Sequence, residues 1–247
     1  ATTYLFFVGL LTASAQFSDD LTDGDFTNTP SWNGDVSLFT IFSGKLNSQS
    51  AGAATYYLST PSALASDAQW EFYIDIQFNT SGANFVEIYL MADNSDLTLV
   101  SNGYFLRVGG TLDEIVLYKK VSGVETAIIN GPTGITEINS FNFRISRNVS
   151  NLWNLEYDDG AIGTFVSAGT VTDSDVNTST SFGVLIEQSS AGSAVNGHFF
   201  DNFIVGNIPV DVTPPSVSSI SVISITQLDV LFSEPLDQTT AEMVSNY

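Results

Sequence analysis

An all-β chain folded as a two-sheet antiparallel sandwich is what the sequence predicts, and three observations carry that expectation. Apolar and polar residues alternate with period two through much of 17–206, clusters of Gly, Asn, Asp and Ser interrupt the runs at short spacing, and no stretch keeps a 3.6-residue period over the length of a helix. That many antiparallel strands ordinarily protect their edges by stacking as two sheets. In chain order, QWEFYIDIQF puts Trp70, Phe72, Ile74, Ile76 and Phe78 on one face and Glu71, Tyr73, Asp75 and Gln77 on the other, the pattern of a half-buried strand. NFVEIYLM repeats it with Val86, Ile88 and Leu90 inward. GYFLRVGG, DEIVLYKK, FNFRISRN, LWNLEYDDG and SFGVLIEQ follow as strands, and NGHFFDNFIVGN closes the series.

Length and charge narrow the rest. A chain of 247 residues can bury a full core in one large β domain. Its residues are 43% hydrophobic and 12% aromatic, so the formal net charge of -21 sits on a folded surface rather than on a disordered chain. Such a field repels phosphate backbones and anionic headgroups, which disfavours nucleic acid, and attracts cations such as calcium. The absence of Cys excludes disulfides, thiolate metal sites and a Cys nucleophile. His198 is the one histidine, so a Ser-His-Asp triad would have to be built on it and a His-rich zinc site cannot form.

The two ends read differently from the middle. ATTYLFFVGLLTASAQ holds an apolar run over 4–11 followed by Ala13-Ser14-Ala15, the small-x-small pattern of a signal-peptide cleavage site. The expectation is an exported chain with a signal peptide over 1–15, clipped at its start, and a mature part from Gln16; a hydrophobic N-terminal strand is the alternative. The run is shorter than the roughly 20 apolar residues of a membrane span, so no membrane insertion is expected. Near residue 208 the texture changes, and Pro209, Pro214 and Pro215 mark a stiff linker over 208–215. Two strand-like runs over 217–223 and 227–232 then read as the opening of a truncated second domain over 216–247.

FSDDLTDGDFTNTPSWNGD near the start, NGYFLRVGG and DEIVLYKK in the centre, and FFDNFIVG at the close together resemble the laminin-G-like, concanavalin A-like jelly rolls of secreted multidomain proteins of Bacteroidota. The tail from DVTPPSV onward resembles the first strands of a bacterial Ig-like domain of the surface-layer-protein type. The resemblance implies a jelly roll over 16–207, an extracellular or cell-surface setting, and further modules on the same longer chain. It implies no single activity, because this sandwich hosts lectins, glycoside hydrolases and ligand-free spacers alike.

Alternation along the last strand puts Phe199, Asp201, Phe203 and Val205 on one side, which sets Asp201 among aromatics. An ionised carboxylate there costs several kcal/mol unless it is paired or holds a metal. The first and last strands of jelly rolls lie side by side, which would bring Asp201 near Asp19, Asp20, Asp23 and Asp25. The resemblance thus implies a structural calcium, held by carboxylates that bridge the terminal strands. The alternative is that Asp201 accepts backbone hydrogen bonds at a bulge while the acidic segment is solvated.

Catalysis has little to stand on. Hydrolases of this fold carry paired carboxylates at alternate positions of one strand; Glu71 and Asp75 begin that pattern, but Gln77 stands at the second glutamate's place, and Glu87 has no carboxylate two residues on. A non-catalytic carbohydrate-binding or adhesive module is the leading expectation, with a polysaccharide or cell-surface glycan as partner. Glu71, Tyr73, Asp75, Glu87, Tyr89 and Arg107 fall on the polar sides of strands expected to be neighbours, mixing flat rings with hydrogen-bonding tips as sugars require. A ligand-free spacer, with Tyr73 and Tyr89 as a solvated cross-strand pair, is the rival.

Overall fold

The alternation read from the sequence becomes fifteen sandwich strands in the computed structural model, which describes residues 15–210, 215–233 and 236. The apolar run over 4–11 and the middle of the Pro-rich linker lie outside the described residues. The strands are β1 (Ala15–Asp19), β2 (Asn33–Gly34), β3 (Phe39–Phe42), β4 (Lys45–Ser48), β5 (Ala54–Pro61), β6 (Ala68–Ile76), β7 (Phe85–Ala92) and β8 (Gly103–Gly109). They continue with β9 (Glu114–Val121), β10 (Val124–Asn130), β11 (Asn139–Arg147), β12 (Leu152–Asp159), β13 (Val166–Thr172), β14 (Ser181–Gln188) and β15 (His198–Asn207). One sheet of eight runs β13-β12-β11-β6-β15-β4-β3, with β1 also paired to β15; the other, of seven, runs β10-β9-β8-β7-β14-β5-β2. Every pairing is antiparallel, and the first strand lies against the last, with Asp19 opposite Phe203. The sandwich unit closes at Ile208.

The inner faces meet in one apolar core. Trp70 of β6 stacks on Trp153 of β12 at 5.6 Å between ring centroids, and Trp32, Phe182 and Phe203 pack together at the other end. Each such buried ring contributes about 1.5–3 kcal/mol by leaving water. Arg147 ends β11 inside this core, fully buried, without a carboxylate partner among the described residues. Its Nη1 donates to the carbonyls of Ala65 and Val176 at 2.8 Å, and its Nη2 to the side-chain oxygens of Asn151 and Asn177. Tyr104 and Trp153 lie on either ring contact of the guanidinium. One side chain therefore ties the loop at residue 65 and the loop over 173–177 to the sheet, because planar donors can serve several carbonyls at once.

Asp201 does not sit among the core aromatics, which corrects the expectation from strict alternation. Between Asp201 and Ile204 the register on β6 shifts, so that Asp201 faces Tyr73 and Ile204 faces Glu71 with one residue to spare. Asn202 takes the extra place with φ at 53°, a left-handed conformation that asparagine tolerates, and donates its N–H to Asp201 Oδ1 at 2.8 Å. The bulge reverses the phase: Phe200 and Phe203 both point inward, while Asp201 and Ile204 point out. Burial nevertheless pushes the Asp201 carboxyl up, and nearby Lys45 opposes that shift.

His198 starts β15 fully buried, with Nδ1 3.0 Å from Ser48 Oγ and the ring edge-on to Phe78 at 4.7 Å. Among the described residues no carboxylate completes a triad there, and Nε2 has no hydrogen-bond partner. β16 (Val217–Ser224) and β17 (Gln227–Phe232) form a separate antiparallel hairpin, in which Ile220 and Val222 pair with Val230 and Leu228 and remain exposed. Among the described residues no helix is long and apolar enough to cross a membrane.

The buried imidazole generates a pH dependence. Burial lowers His198 to about 3 from its ordinary 6.5, so below pH 6.5 the unfolded chain takes up a proton that the folded chain refuses. Stability should therefore fall as pH drops from 6.5 toward 3, by about 2 kcal/mol at pH 5. Urea unfolding of the chain between pH 7.5 and 5 checks this. His198→Gln is expected to flatten the slope, and identical slopes would remove the histidine from the account.

Candidate functional site

Polar and aromatic side chains gather on the outer face of the seven-stranded sheet, and the strand registers explain why. Tyr118 on β9, Phe105 on β8 and Tyr89 on β7 stand side by side across three strands, with centroids 5.2 and 5.0 Å apart. One step along, Arg107, Glu87, Leu185 and Tyr57 form the next row across β8, β7, β14 and β5. The loop between β7 and β8 folds over one end of this floor. Asp93 accepts the N–H groups of Ser101 and Asn102, Asp96 caps the 3-10 turn Leu97–Leu99 through the Thr98 N–H, and Ser59 Oγ donates to the Ser95 carbonyl. Leu97 and Val100 then bury themselves against Tyr89, Ala92, Phe105 and Leu185 as a second, smaller apolar cluster. Gly183 makes room for that wall: a Cβ there would come within 2.9 Å of Leu97 and closer still to the β5 backbone.

The open part of the floor is charged but neutral in sum. Arg107 Nε donates to Glu87 Oε1 at 2.9 Å, its Nη2 bonds both Glu87 and Glu125, and Lys120 pairs with Glu125 at 3.2 Å. The guanidinium lies over Tyr118, Phe85 and Phe105 at 4.6 to 5.4 Å, a stacking that leaves its rim open to solvent. Glu87 is 4% exposed, and its burial pushes the carboxyl up against the pull of Arg107. Burial also pushes the Tyr89 hydroxyl up, with Glu87 and Glu125 adding to it.

The six residues expected to share one binding surface divide between the two sheets. Glu87, Tyr89 and Arg107 lie together on the seven-stranded sheet, whereas Glu71, Tyr73 and Asp75 belong to β6 of the eight-stranded sheet and face the opposite side. Consecutive strands β6 and β7 look like neighbours in sequence, but the chain crosses from one sheet to the other between them. Tyr89 is also 1% exposed under the loop, so it is floor structure more than contact surface. Tyr57, Phe85, Tyr118 and Glu125, which no motif marked, complete the patch; only cross-strand register makes them neighbours.

The acidic start of the domain is knitted by its own backbone. Asp19 accepts the Leu21 N–H at 3.0 Å and Trp32 Nε1 at 2.8 Å, Asp20 accepts from Thr22, Asp23 from the Asp25 N–H, and Asp25 from Thr27 and Asn28. Burial pushes Asp19 up, opposed by the Trp32 bond, while the Thr22 and Thr27 side chains hold Asp20 and Asp25 down. Asp19, Asp20 and Asp23 line one cleft with Asn202; Asp25 and Asp201 do not line it. Among the described residues, no three Asp, Glu or His side chains converge as a metal's ligands would.

No protein-family model matches the sequence, and no curated protein does. Solved structures do match. The carbohydrate binding module CBM66 from Bacillus subtilis superposes with a TM-score of 0.52 at 14% identity, over 71% of this chain and 94% of that one. The VIP36 exoplasmic/lumenal domain in its Ca2+/Man3GlcNAc-bound form gives 0.60 at 9% identity, over 82% and 93%. Arcelin-5, a lectin-like defense protein from Phaseolus vulgaris, gives 0.59 at 11% identity, over 81% and 100%. The fold is a two-sheet antiparallel sandwich of the lectin-like jelly-roll kind.

The Glu87–Arg107 pair supplies a test of this face. Arg107→Met strands a buried carboxylate and should cost about 3 kcal/mol in urea unfolding at pH 7. Glu87→Gln added to the same chain is expected to restore most of it. Equal stability of Arg107→Met and the parent would mean that Glu87 is hydrated rather than paired.

Proposed function

We propose that the sandwich is a non-catalytic carbohydrate-binding module of an exported protein, with its ligand face on the outer side of the seven-stranded sheet. The observation that carries the reading is the Glu87–Arg107–Glu125 network set among Tyr57, Phe85 and Tyr118 beneath a fixed loop wall. Sugars pack C–H faces on rings and bond hydroxyls to polar tips, and a charge-balanced site favours a neutral polyol over an ion. The names of two structural neighbours, a carbohydrate binding module and a lumenal domain bound to Man3GlcNAc, support the same ligand class. Against catalysis, Glu71 and Glu87 each pair with an arginine, Glu125 shares the arginine of Glu87, and the Ser48–His198 contact is buried.

Three finer parts of the reading go with it. Export is proposed from the apolar leader and its small-x-small site, with an extracellular or cell-surface destination. The β16–β17 hairpin is proposed as the opening of an Ig-like domain, which its exposed, period-two apolar face supports. A structural calcium at the terminal strands is proposed from the charge of -21 and the calcium-bound state named for VIP36, with Asp19, Asp20 and Asp23, which line one cleft there, turning toward the ion. Such an ion would exchange the turn hydrogen bonds of Asp20 and Asp23 for cation contacts.

Two experiments test these statements. The full chain is screened on an array of plant, algal and microbial polysaccharides, and oligosaccharides of the retained polymer are titrated while backbone amide shifts are followed. Shifts are expected at Phe85, Glu87, Arg107 and Tyr118, and Tyr118→Ala should weaken that isotherm on the order of tenfold, whereas Leu112→Ser, at an exposed turn, should not. Silence across the array overturns the ligand reading in favour of a spacer. For calcium, the melting midpoint in excess Ca2+ is expected above that in EGTA, and coincident melts overturn the clamp.

A further inference from the structure

The outer face of the eight-stranded sheet has a groove of its own, and both of its walls are purpose-built. One wall is the loop after β12. Asp158, fully buried, accepts the N–H groups of Ile162, Gly163 and Thr164 and the Asn142 side chain, and so holds the loop down onto the sheet. Phe165 ends that loop and lies against the Arg144 guanidinium at 4.2 Å. The other wall is the β15 bulge, which turns Asn202 and Ile204 outward. Between them β6 and β11 form a floor carrying Glu71 and Asn142, and the groove encloses about 280 Å³. Three strand spacings of about 4.8 Å separate β15 from β12, room for one narrow chain.

The groove's polar atoms are only partly used. Arg144 Nε donates to Glu71 Oε1 at 3.0 Å, but its two terminal nitrogens make no hydrogen bond among the described residues. Glu71 Oε2, Asn142 Oδ1 and the Asn202 amide are similarly free there. Donors, acceptors and a ring edge thus converge, with Arg144 paired to Glu71 and Lys45 near Asp201. In a chain with six Lys and Arg against 27 Asp and Glu, two cations on this face are a large share, as are Arg107 and Lys120 on the other.

We propose that this groove is a second saccharide-binding site, on the opposite side of the sandwich from the first, so that one molecule can hold two glycan chains. It rests on the ligand class proposed above but on none of that face's residues. Binding would stack a sugar ring against Phe165 and bond hydroxyls to Arg144, Glu71 and Asn202.

The test titrates the full chain with hexasaccharides of glucan, mannan, xylan and fructan while backbone amides are followed, and mixes it with the matching soluble polysaccharides to read turbidity. Two sets of shifts with independent isotherms are expected, one around Arg107 and Tyr118 and one around Asn142, Phe165 and Asn202. Phe165→Ala and Asn202→Gly, which keeps the left-handed bulge, should weaken the second set at least tenfold and leave the first unchanged. The parent should cross-link polysaccharide into turbidity that either variant, or Tyr118→Ala, prevents. A single set at Arg107 and Tyr118, untouched by both groove variants, overturns the second site and leaves the first standing. A set confined to the groove does the reverse, and no shifts with any hexasaccharide remove both.

Discussion

Scarcity of positive charge governs how this protein is built. With 27 carboxylates and six Lys and Arg, ion pairing cannot satisfy the acidic side chains, so backbone N–H groups must. Asp158 shows the solution at its fullest. Burial works to raise its carboxyl, yet four hydrogen bonds from Asn142, Gly163, Thr164 and Ile162 together hold it below the ordinary carboxylate range. Asp93 fixes the loop over the opposite sheet by the same device, and the run from Asp19 to Asp25 is a succession of such turns. The carboxylates of that run thus each serve a local backbone N–H or side-chain donor.

The six cations that remain have clear assignments. Arg147 is spent inside the core, and Lys119 bridges Asp173 and Asp175, where Tyr104 also donates to Asp173. Those two hold the loop over 173–177 against the sandwich. The other four divide evenly: Arg107 and Lys120 on one outer face, Arg144 and Lys45 on the other. On both faces an arginine lies against aromatic rings and is tied to a glutamate, and on both a carboxylate-capped loop forms a wall. The two proposed saccharide sites are therefore built from the same parts on opposite sheets.

Much of this was legible in the sequence. The inward set of β6 and β7 was read correctly residue by residue, because a side-chain period of two leaves only two choices of face and the apolar residues choose. The lateral contact of first and last strands also holds. The phase of β15 stays open in the sequence between strict alternation and a bulge at Asp201, and the structure has the bulge, which adds one residue at Asn202 and inverts every assignment after it. Nor could Tyr57 and Tyr118, 61 positions apart, be seen to share a floor.

By itself the sequence determined the all-β class, the faces of most strands, the exclusion of thiol and His-cluster chemistry, and the imbalance of charge. These are properties of composition and local period, and no long-range contact can alter them. Which sheet each strand joins, and hence whether Glu71 and Glu87 share a surface, was decided only in three dimensions. Strand pairing is settled by closure of the whole core, and a polar face is the same in sequence whichever sheet it covers.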